Sequence, residues 1–347
     1  NMSLLDQIKS KKSIGSNRGA IEAVEQQRAQ AQKVQSALLT PDENAYLQAM
    51  EDTKFEKYWQ RIKQVSFDSV LRTFSTQAAK EVIEAHQQFK KNPTKFDFTD
   101  TTNFPELSKL QTWIDLTYKE HQDVWQNGMF VRLSTRSAKD AALKRDTFPD
   151  ELKKQYDMLI SQEDAQPSEQ VRNNALLHAL YRASTFQLRV NNGREALQLL
   201  VESERIQGDL SHFISIHDKV NQQNAASSSS QHSTDIQFFL VLREFVVFDP
   251  LFEFRGFVYQ KRLTCISQYN PFIRFKALQN KQIVDQLEKL MIEFFEKSIQ
   301  PHFKGSAPSI QHEEKFAQVP YLPDNLVIDY VIIDSTCYIV EVNPLGE

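Results

Sequence analysis

IIDSTCYIVEVNPLGE, residues 332–347, decides the fold that this sequence predicts, because it contains the turn and the second strand of a β-hairpin. The segments Leu326–Asp334 and Cys337–Val342 are rich in β-branched and aromatic residues. The Asp-Ser-Thr tripeptide at 334–336 between them favours a hairpin turn. The two segments are therefore predicted to pair as antiparallel neighbours.

This pairing places three oxygen-bearing side chains close together. The turn sets Asp329 across from Glu341, and Asn343 lies two residues further along the same strand face. Carboxylate and amide oxygens are the ligands of hard cations such as Mg²⁺, which proteins usually bind together with a substrate's phosphates. The same pattern also fits a surface hairpin with polar ends, and the residues alone leave both interpretations open.

The end of the chain resembles the closing motif of the cell division cycle protein 123 family, an Asp strand followed by an acidic-x-Asn-Pro-x-Gly-Glu run. Further blocks resemble the family in the same order, so that the resemblance covers roughly residues 55–347. These blocks are Tyr58–Ala85, FPEL at 104–107, GMFVRLSTRSAKDA at 128–141, VESERIQGDL at 201–210 and VLREFVVFDPLFEFRGFVYQKRLTCISQ at 241–268.

This resemblance implies an α+β protein with an ATP-grasp fold, in which two lobes surround an ATP·Mg²⁺ cleft. It divides the chain into an N-terminal helical extension (1–54), an N-terminal and central lobe (55–236) and a C-terminal lobe with the metal site (237–347). The best known members assist the assembly of eukaryotic translation initiation factor 2 by binding its gamma subunit. A protein client of that kind is therefore the expected partner.

The resemblance also assigns nucleotide contacts. Arg132 occupies the position of a phosphate-binding lysine, and an arginine replaces the compact ammonium by a planar fork, which marks a divergent member. Lys139 is the second expected phosphate contact, although it also fits an ordinary solvated loop lysine. Glu253 and Arg255 share one strand face, so Arg255 either faces the phosphates, as in the family, or pairs with Glu253.

The expected adenine pocket lies at the end of the predicted strand Leu240–Val247, where a backbone donor and acceptor would meet apolar walls. The complete set of expected nucleotide contacts is Arg132, Ser137, Lys139, Asp140, Arg243, Glu244, Phe245, Val246, Glu253, Arg255, Ser267 and Gln268. The expected metal ligands are Asp329, Glu341 and Asn343.

Composition limits the other classes of function. The 347 residues are 40% hydrophobic, enough for a sizeable core, and the formal charge of −4 argues against general nucleic-acid binding. The sequence contains no apolar stretch of membrane-spanning length, and we expect a cytoplasmic protein. Cys265 and Cys337 are expected to be reduced core thiols. No dinucleotide-binding, P-loop, nucleophile-elbow or HExxH motif occurs.

Helical and loop segments complete the prediction. Asn17–Leu39 has the spacing of an amphipathic helix, and Pro167–Val190 and Arg194–Gly208 are also predicted to be helical. The Gln, Asn and Ser tract within 221–234 is predicted to be a mobile surface loop, because it has too few apolar residues to pack.

Three functions remain open from the sequence. The first is an ATP-dependent assembly factor for a protein client. The second is an ATP-grasp ligase or phosphotransferase that works through an acylphosphate on a protein or small-molecule substrate. The third is an interaction protein that has lost nucleotide binding.

Overall fold

The computed structural model describes residues 49, 51–93, 96–97, 103–163, 165–226, 238–305 and 319–345. The chain divides into two compact units, Asn1–Gln48 and Ala49–Glu347, and every described residue belongs to the second. The predicted helix Asn17–Leu39 and nearly all of the predicted extension 1–54 therefore lie outside the described residues.

Helices and strands alternate irregularly along the described chain. The helices are α1 (Phe55–Ile62), α2 (Thr76–Lys91), α3 (Pro105–Glu120), α4 (Lys139–Ala142), α5 (Phe148–Ile160), α6 (Glu169–Phe186), α7 (Gly193–Glu202), α8 (Glu204–Ala226) and α9 (Lys281–Phe294). The strands are β1 (Ser69–Thr73), β2 (Met129–Leu133), β3 (Arg189–Val190), β4 (Phe239–Glu244), β5 (Glu253–Tyr259), β6 (Arg262–Gln268), β7 (Leu326–Ile333) and β8 (Thr336–Pro344).

The strands form two sheets, each of four strands. Sheet one has the order β1-β4-β2-β3, and sheet two has the order β6-β5-β7-β8. All of the strand pairs are antiparallel. Helices and antiparallel sheets in one chain confirm the predicted α+β class. Within the residues described, no helix combines the length and the apolar character that a membrane span needs.

Each sheet has its own hydrophobic core. Sheet one packs against α2, α3, α7 and α8, with Ile114 and Leu242 fully buried. Sheet two packs against α1 and α9, around Ile328 and Tyr330. Gly256 of β5 is required there, because a Cβ at this position would lie 2.6 Å from Cε2 of Tyr330. Burying a leucine or isoleucine side chain such as those of Leu242 and Ile328 stabilises the fold by roughly 1.5–3 kcal/mol.

The β7–β8 hairpin forms as predicted, but by a different local geometry. Its turn has two residues, Asp334 and Ser335, whose φ angles of 47° and 63° fit the left-handed turn that matches strand twist. A tight turn of this kind would pair Asp329 with residue 340. A register shift next to Asp329 instead pairs it with Glu341, because Val340 is the extra residue of a β-bulge. Because of this bulge, Asp329 lies opposite Glu341, as predicted.

Three predicted segments differ from the structure. The helix predicted over Pro167–Val190 ends at Phe186, because Arg189 and Val190 form β3 and pair with β2. The helix predicted over Arg194–Gly208 is two helices that separate at Ser203. Helix α8 continues to Ala226, so the predicted mobile loop 221–234 is wrong for residues 221–226, and the rest of it lies outside the described residues.

The cysteine prediction is half right. Cys337 is buried in the core of sheet two, where burial raises the pKa of its thiol to about 11. Cys265 is exposed rather than a core thiol, because β6 lies at the edge of its sheet. The predicted strand Leu240–Val247 also ends earlier, at Glu244.

Candidate functional site: a charged cleft between the two sheets

A cleft lies where the two sheets meet. Its cavity of about 110 Å³ is lined by residues from both sheets and from the loop after β2. Among the lining residues are Arg132, Ser137, Lys139, Arg243, Glu244, Phe245, Val246, Glu253 and Glu341, all of which the sequence predicted to contact nucleotide or metal. Residues far apart in the sequence therefore meet in this cleft.

A bidentate ion pair joins Arg255 and Asp329 in sheet two. The two residues are directly opposite each other on β5 and β7. Arg255 Nε lies 2.7 Å from Asp329 Oδ1, and its Nη2 lies 2.9 Å from Oδ2. This parallel arrangement is the strong form of a charge-assisted hydrogen bond. Its hydrogen bonds to Asp329 raise the pKa of the Arg255 guanidinium above its usual value, so the arginine remains charged.

A second ion pair crosses from sheet one to sheet two. Arg132 Nη1 of β2 lies 2.7 Å from Glu341 Oε1 of β8, with 4% and 18% of the two side chains exposed. Burial by itself raises the pKa of Glu341, but the charges of Arg132 and Lys139 outweigh it and hold the pKa below its usual value. Glu341 is therefore ionised and ties the two sheets together.

Asn343 completes the group of predicted metal ligands. Its Nδ2 donates to Asp329 Oδ2 over 3.1 Å. Asn343 lies two residues beyond Glu341 on β8, and Glu341 is paired with Asp329. The three predicted ligands thus lie together, although both carboxylates are bound to arginines. The described residues contain no group of three or more His, Cys, Asp or Glu side chains arranged to hold a metal.

Arg243 lies below the cleft and contacts the bulge of β8. Its Nη2 donates to the Ile339 carbonyl over 3.0 Å and to Ser66 Oγ over 2.6 Å, and its Nη1 donates to the Val340 carbonyl. Its Nε makes no hydrogen bond within the described chain. Burial lowers the pKa of this guanidinium to about 10. Arg243 therefore supports the backbone that presents Glu341.

Two tyrosines that the sequence analysis did not identify also belong to the site. The hydroxyl of Tyr181 on α6 donates to Glu253 Oε2, and burial is the main cause that raises the Glu253 pKa to about 7. Lys139 is solvent-exposed, and its Nζ donates to the Tyr269 hydroxyl over 3.2 Å. The Arg255 guanidinium lies 5.0 Å from the centre of the Tyr269 ring.

No signal in the sequence identifies Tyr181, which lies on a helix far from the predicted contacts. Tyr269 directly follows the predicted contacts Ser267 and Gln268, and this adjacency could have indicated it. The sequence left open an ion pair between Glu253 and Arg255, and the described residues do not form it. Arg255 pairs with Asp329, and Glu253 accepts from Tyr181.

The segment after β4 forms one wall of the cleft. The backbone N–H of Glu244 donates to the Asp68 carbonyl over 2.9 Å, and that of Phe245 donates to the Gly128 carbonyl over 3.0 Å. Phe245 is 5% exposed and stands beside Val246 in the cavity lining. This wall is apolar, and part of its backbone is already hydrogen-bonded.

Three predicted contacts lie elsewhere. Asp140 accepts from Ser203 Oγ over 2.5 Å and from the Glu204 N–H over 2.8 Å, so it caps the start of α8. Ser267 and Gln268 line a different cavity, between sheet two and α9. Gln268 Nε2 donates to the Pro250 carbonyl over 3.1 Å. Position in a sequence block therefore did not determine which cavity a side chain lines.

Comparison with known proteins agrees with this description. The fold is an α+β arrangement of two antiparallel sheets with a charged cleft between them. The D123 profile matches residues 135–347, and the chain belongs to the D123 family. This confirms the family that the sequence motifs indicated.

A solved structure of Cdc123 from Schizosaccharomyces pombe is similar to this chain. The TM-score is 0.50 at 16% identity, and the match covers 86% of this chain and 85% of that chain. A C-terminally truncated form of the same protein matches over the same shares at 16% identity, with a TM-score of 0.49. At this identity the first match supports the fold alone. A search of curated proteins found no match.

Proposed function

We propose that the cleft binds ATP·Mg²⁺ in the manner of an ATP-grasp protein, and that the loaded protein acts on a protein client. One observation carries the proposal: two carboxylates and two arginines at the cleft neutralise each other in ion pairs. Such pairs suit a ligand that brings both a cation and an anion, because each partner gains a new counter-charge.

The donor set fits the metal half of this ligand. Asp329, Glu341 and Asn343 offer oxygen atoms, which Mg²⁺ prefers, and they lie together at the end of the hairpin. These three side chains would hold the metal, which would supply positive charge to offset part of the negative charge of the nucleotide phosphates. The two carboxylates would then no longer depend on the arginines.

The cations fit the phosphate half. Arg132 and Arg255 would turn from carboxylates to phosphate oxygens, and Lys139 already lies exposed at the cleft. Arginine binds phosphate through the same planar fork that binds a carboxylate, so this exchange keeps two hydrogen bonds per group. Arg243, whose Nε makes no hydrogen bond within the described chain, adds positive charge beneath them.

The wall formed by Phe245 and Val246 suits a purine, which asks for apolar contact and a few backbone hydrogen bonds. The cavity of about 110 Å³ is smaller than the roughly 300–1,000 Å³ of small-molecule sites. It adjoins a recess of about 370 Å³, with which it shares Lys139, Tyr181, Thr185 and Leu188. The nucleotide would therefore extend into this recess or open the cleft.

For the client, membership of the D123 family supports the initiation-factor assembly role that the sequence resemblance implied. The proposed client is the gamma subunit of translation initiation factor 2, bound in the cytoplasm by the ATP-loaded protein. Binding of purified gamma subunit in the presence and absence of ATP·Mg²⁺ tests this step. Equal capture with and without nucleotide would contradict a nucleotide-dependent client interaction.

The ligase or phosphotransferase reading is the second candidate, and Glu253 is the observation that favours it. A buried carboxyl group with a pKa of about 7 in the cleft is suited to exchange protons near neutral pH. Steady ATP hydrolysis or transfer without a protein client would support this reading over the assembly role.

The nucleotide proposal is tested by thermal melting with Mg²⁺ alone, with ATP·Mg²⁺ and with GTP·Mg²⁺. Ligand at a hundred times its dissociation constant adds roughly 2.7 kcal/mol, which raises the melting temperature by roughly 5–10 °C. We expect that rise for the wild type with ATP·Mg²⁺ and its loss in Asp329→Asn. The matched control is Asp324→Asn, the same change at an exposed position outside the cleft. No rise in the wild type at saturating ATP would refute the proposal.

A further inference from the structure

Strand β6 forms one edge of sheet two. It is the terminal strand of the sheet and, among the residues that the structure describes, pairs with β5 alone. Within the described chain, the backbone groups of Arg262–Gln268 make no backbone hydrogen bond except those of that pairing. In an antiparallel pair, alternate residues of an edge strand direct their N–H and C=O groups outward. Toward the rest of the described chain, the edge therefore offers a row of backbone donors and acceptors that have no partner there.

An apolar groove runs beside this edge. It has a volume of about 360 Å³ and lies between β6 and helix α9, with Leu263 and Ile266 on the strand side. On the helix side, Val284 and Ile292 remain 37% and 38% exposed. Proteins usually blunt an exposed edge with a charged residue, proline, a bulge or a covering segment. Strand β6 begins with Arg262 and has a bulge at Thr264, whereas residues 265–268 contain no charged residue, no proline and no bulge.

One charge stands in the groove lining. Glu288 of α9 is exposed, and it forms no ion pair in the described chain. Its neighbours on the helix surface are paired, Lys281 with Asp285 and Lys289 with Glu293. A segment lying in the groove would thus meet apolar side chains and the exposed carboxylate of Glu288.

We infer that β6 and the groove beside α9 form a strand-addition site for an extended segment of a partner protein. The segment would pair its backbone with β6 and insert alternate apolar side chains between β6 and α9. A lysine or arginine would face Glu288. Main-chain pairing supplies affinity in this mode, and the pockets for alternate side chains supply selectivity. The inference does not depend on nucleotide binding, because the groove lies on the opposite face of the sheet from the ion pairs.

The test uses three synthetic octapeptides with valine at alternate positions. The first carries one lysine, the second carries glutamate in its place, and the third is the lysine peptide with alternate backbone amides N-methylated. Binding is followed by fluorescence anisotropy and by the alkylation rate of Cys265, which is exposed in the groove lining, whereas Cys337 is buried. We expect the lysine peptide to bind and to slow alkylation, and the N-methylated peptide to do neither.

Glu288→Lys should lower the affinity for the lysine peptide by about threefold to fivefold, as expected for a charge pair at the rim of an interface. The variant should then bind the glutamate peptide more tightly than the lysine peptide. The control is Glu296→Lys, the same change at an exposed position outside the groove, which should alter neither. Absence of lysine-peptide binding at about 1 mM, or equal binding of the N-methylated peptide, would overturn the inference. A concentration-dependent dimer that protects Cys265 would also overturn it, because the occupant would then be a second copy of this chain.

Discussion

The two faces of sheet two carry opposite kinds of chemistry on the same strands. On β7, Asp329 holds Arg255 in a bidentate pair on the face that also carries Asn343, while Ile328 and Tyr330 on either side of it face the core. Tyr330 packs edge-on against Phe294, with ring centres 6.0 Å apart. One step along a strand therefore separates an ion-pair network from a hydrophobic core.

The two faces should respond differently to mutation. Apolar packing is non-directional, so the core face depends on volume and loses stability when atoms are removed. The cleft face depends on the orientation of charges, so changing a single partner leaves an unpaired group behind. We expect mutations on the core face to alter stability alone. Mutations on the cleft face should alter both stability and the response to pH or ligand.

The largest effect is expected on the core face. Ile328→Ala removes a fully buried side chain and should lower the free energy of unfolding by about 2–5 kcal/mol. Urea denaturation measures this loss, and Ile328→Val, as a control, should cost only about 1 kcal/mol. The affinity of the folded protein for ATP·Mg²⁺ should not change. A loss of affinity as large as that of Asp329→Asn would break the distinction between the two faces.

A smaller loss is expected for the pair that crosses the sheets. Arg132→Met leaves Glu341 without its partner and should cost about 2–3 kcal/mol, less than a fully buried pair because Glu341 keeps 18% exposure. Replacing Glu341 by Met in the same chain should recover part of that loss. A double-mutant cycle in urea measures the coupling. Additive losses would show that the pair does not link the sheets energetically.

The third prediction concerns pH. The folded pKa of Glu253, about 7, lies above its unfolded value of about 4.3, so the folded state keeps a proton that the unfolded state has released. This contribution to stability is complete below about pH 4.3 and falls as the pH rises to about 7. Glu253→Gln should therefore be more stable than the wild type by about 2 kcal/mol at pH 8.

Urea unfolding at pH 5 and pH 8 distinguishes this prediction from a general effect of the substitution. The difference between variant and wild type should be smaller at pH 5. Glu341→Gln is the contrasting variant. The pKa of Glu341 is lowered, so its contribution is present above about pH 4.3 and is lost only as the pH falls below that value. Identical pH profiles for the two variants would contradict the assignment.

The smallest effect is expected outside the cleft. Asp140→Ala removes the hydrogen bonds at the start of α8 and should cost about 1 kcal/mol, as for the loss of a helix cap. Thermal melting measures the loss, and the increase in melting temperature with ATP·Mg²⁺ should be the same as in the wild type. A reduced increase would return Asp140 to the nucleotide site.

The sequence by itself determined the class of the fold, the hairpin and the proximity of Asp329, Glu341 and Asn343. Strand alternation and turn residues are local properties, and they specified β7, the turn and β8 without reference to the rest of the chain. The opposition of Asp329 and Glu341 was also predicted, although the structure reaches it through a two-residue turn and a bulge at Val340. The family motifs identified most of the residues that line the cleft.

Only the tertiary structure decided which partner each charged residue has. Arg132 meets Glu341 and Arg243 meets the bulge because sheet one and sheet two come together, and no local pattern contains that contact. The same holds for Tyr181, a helix residue that reaches Glu253 across the cleft. Periodicity gives the face on which a side chain lies, whereas its partner, and with it the pKa and the exposure, depends on which elements pack together.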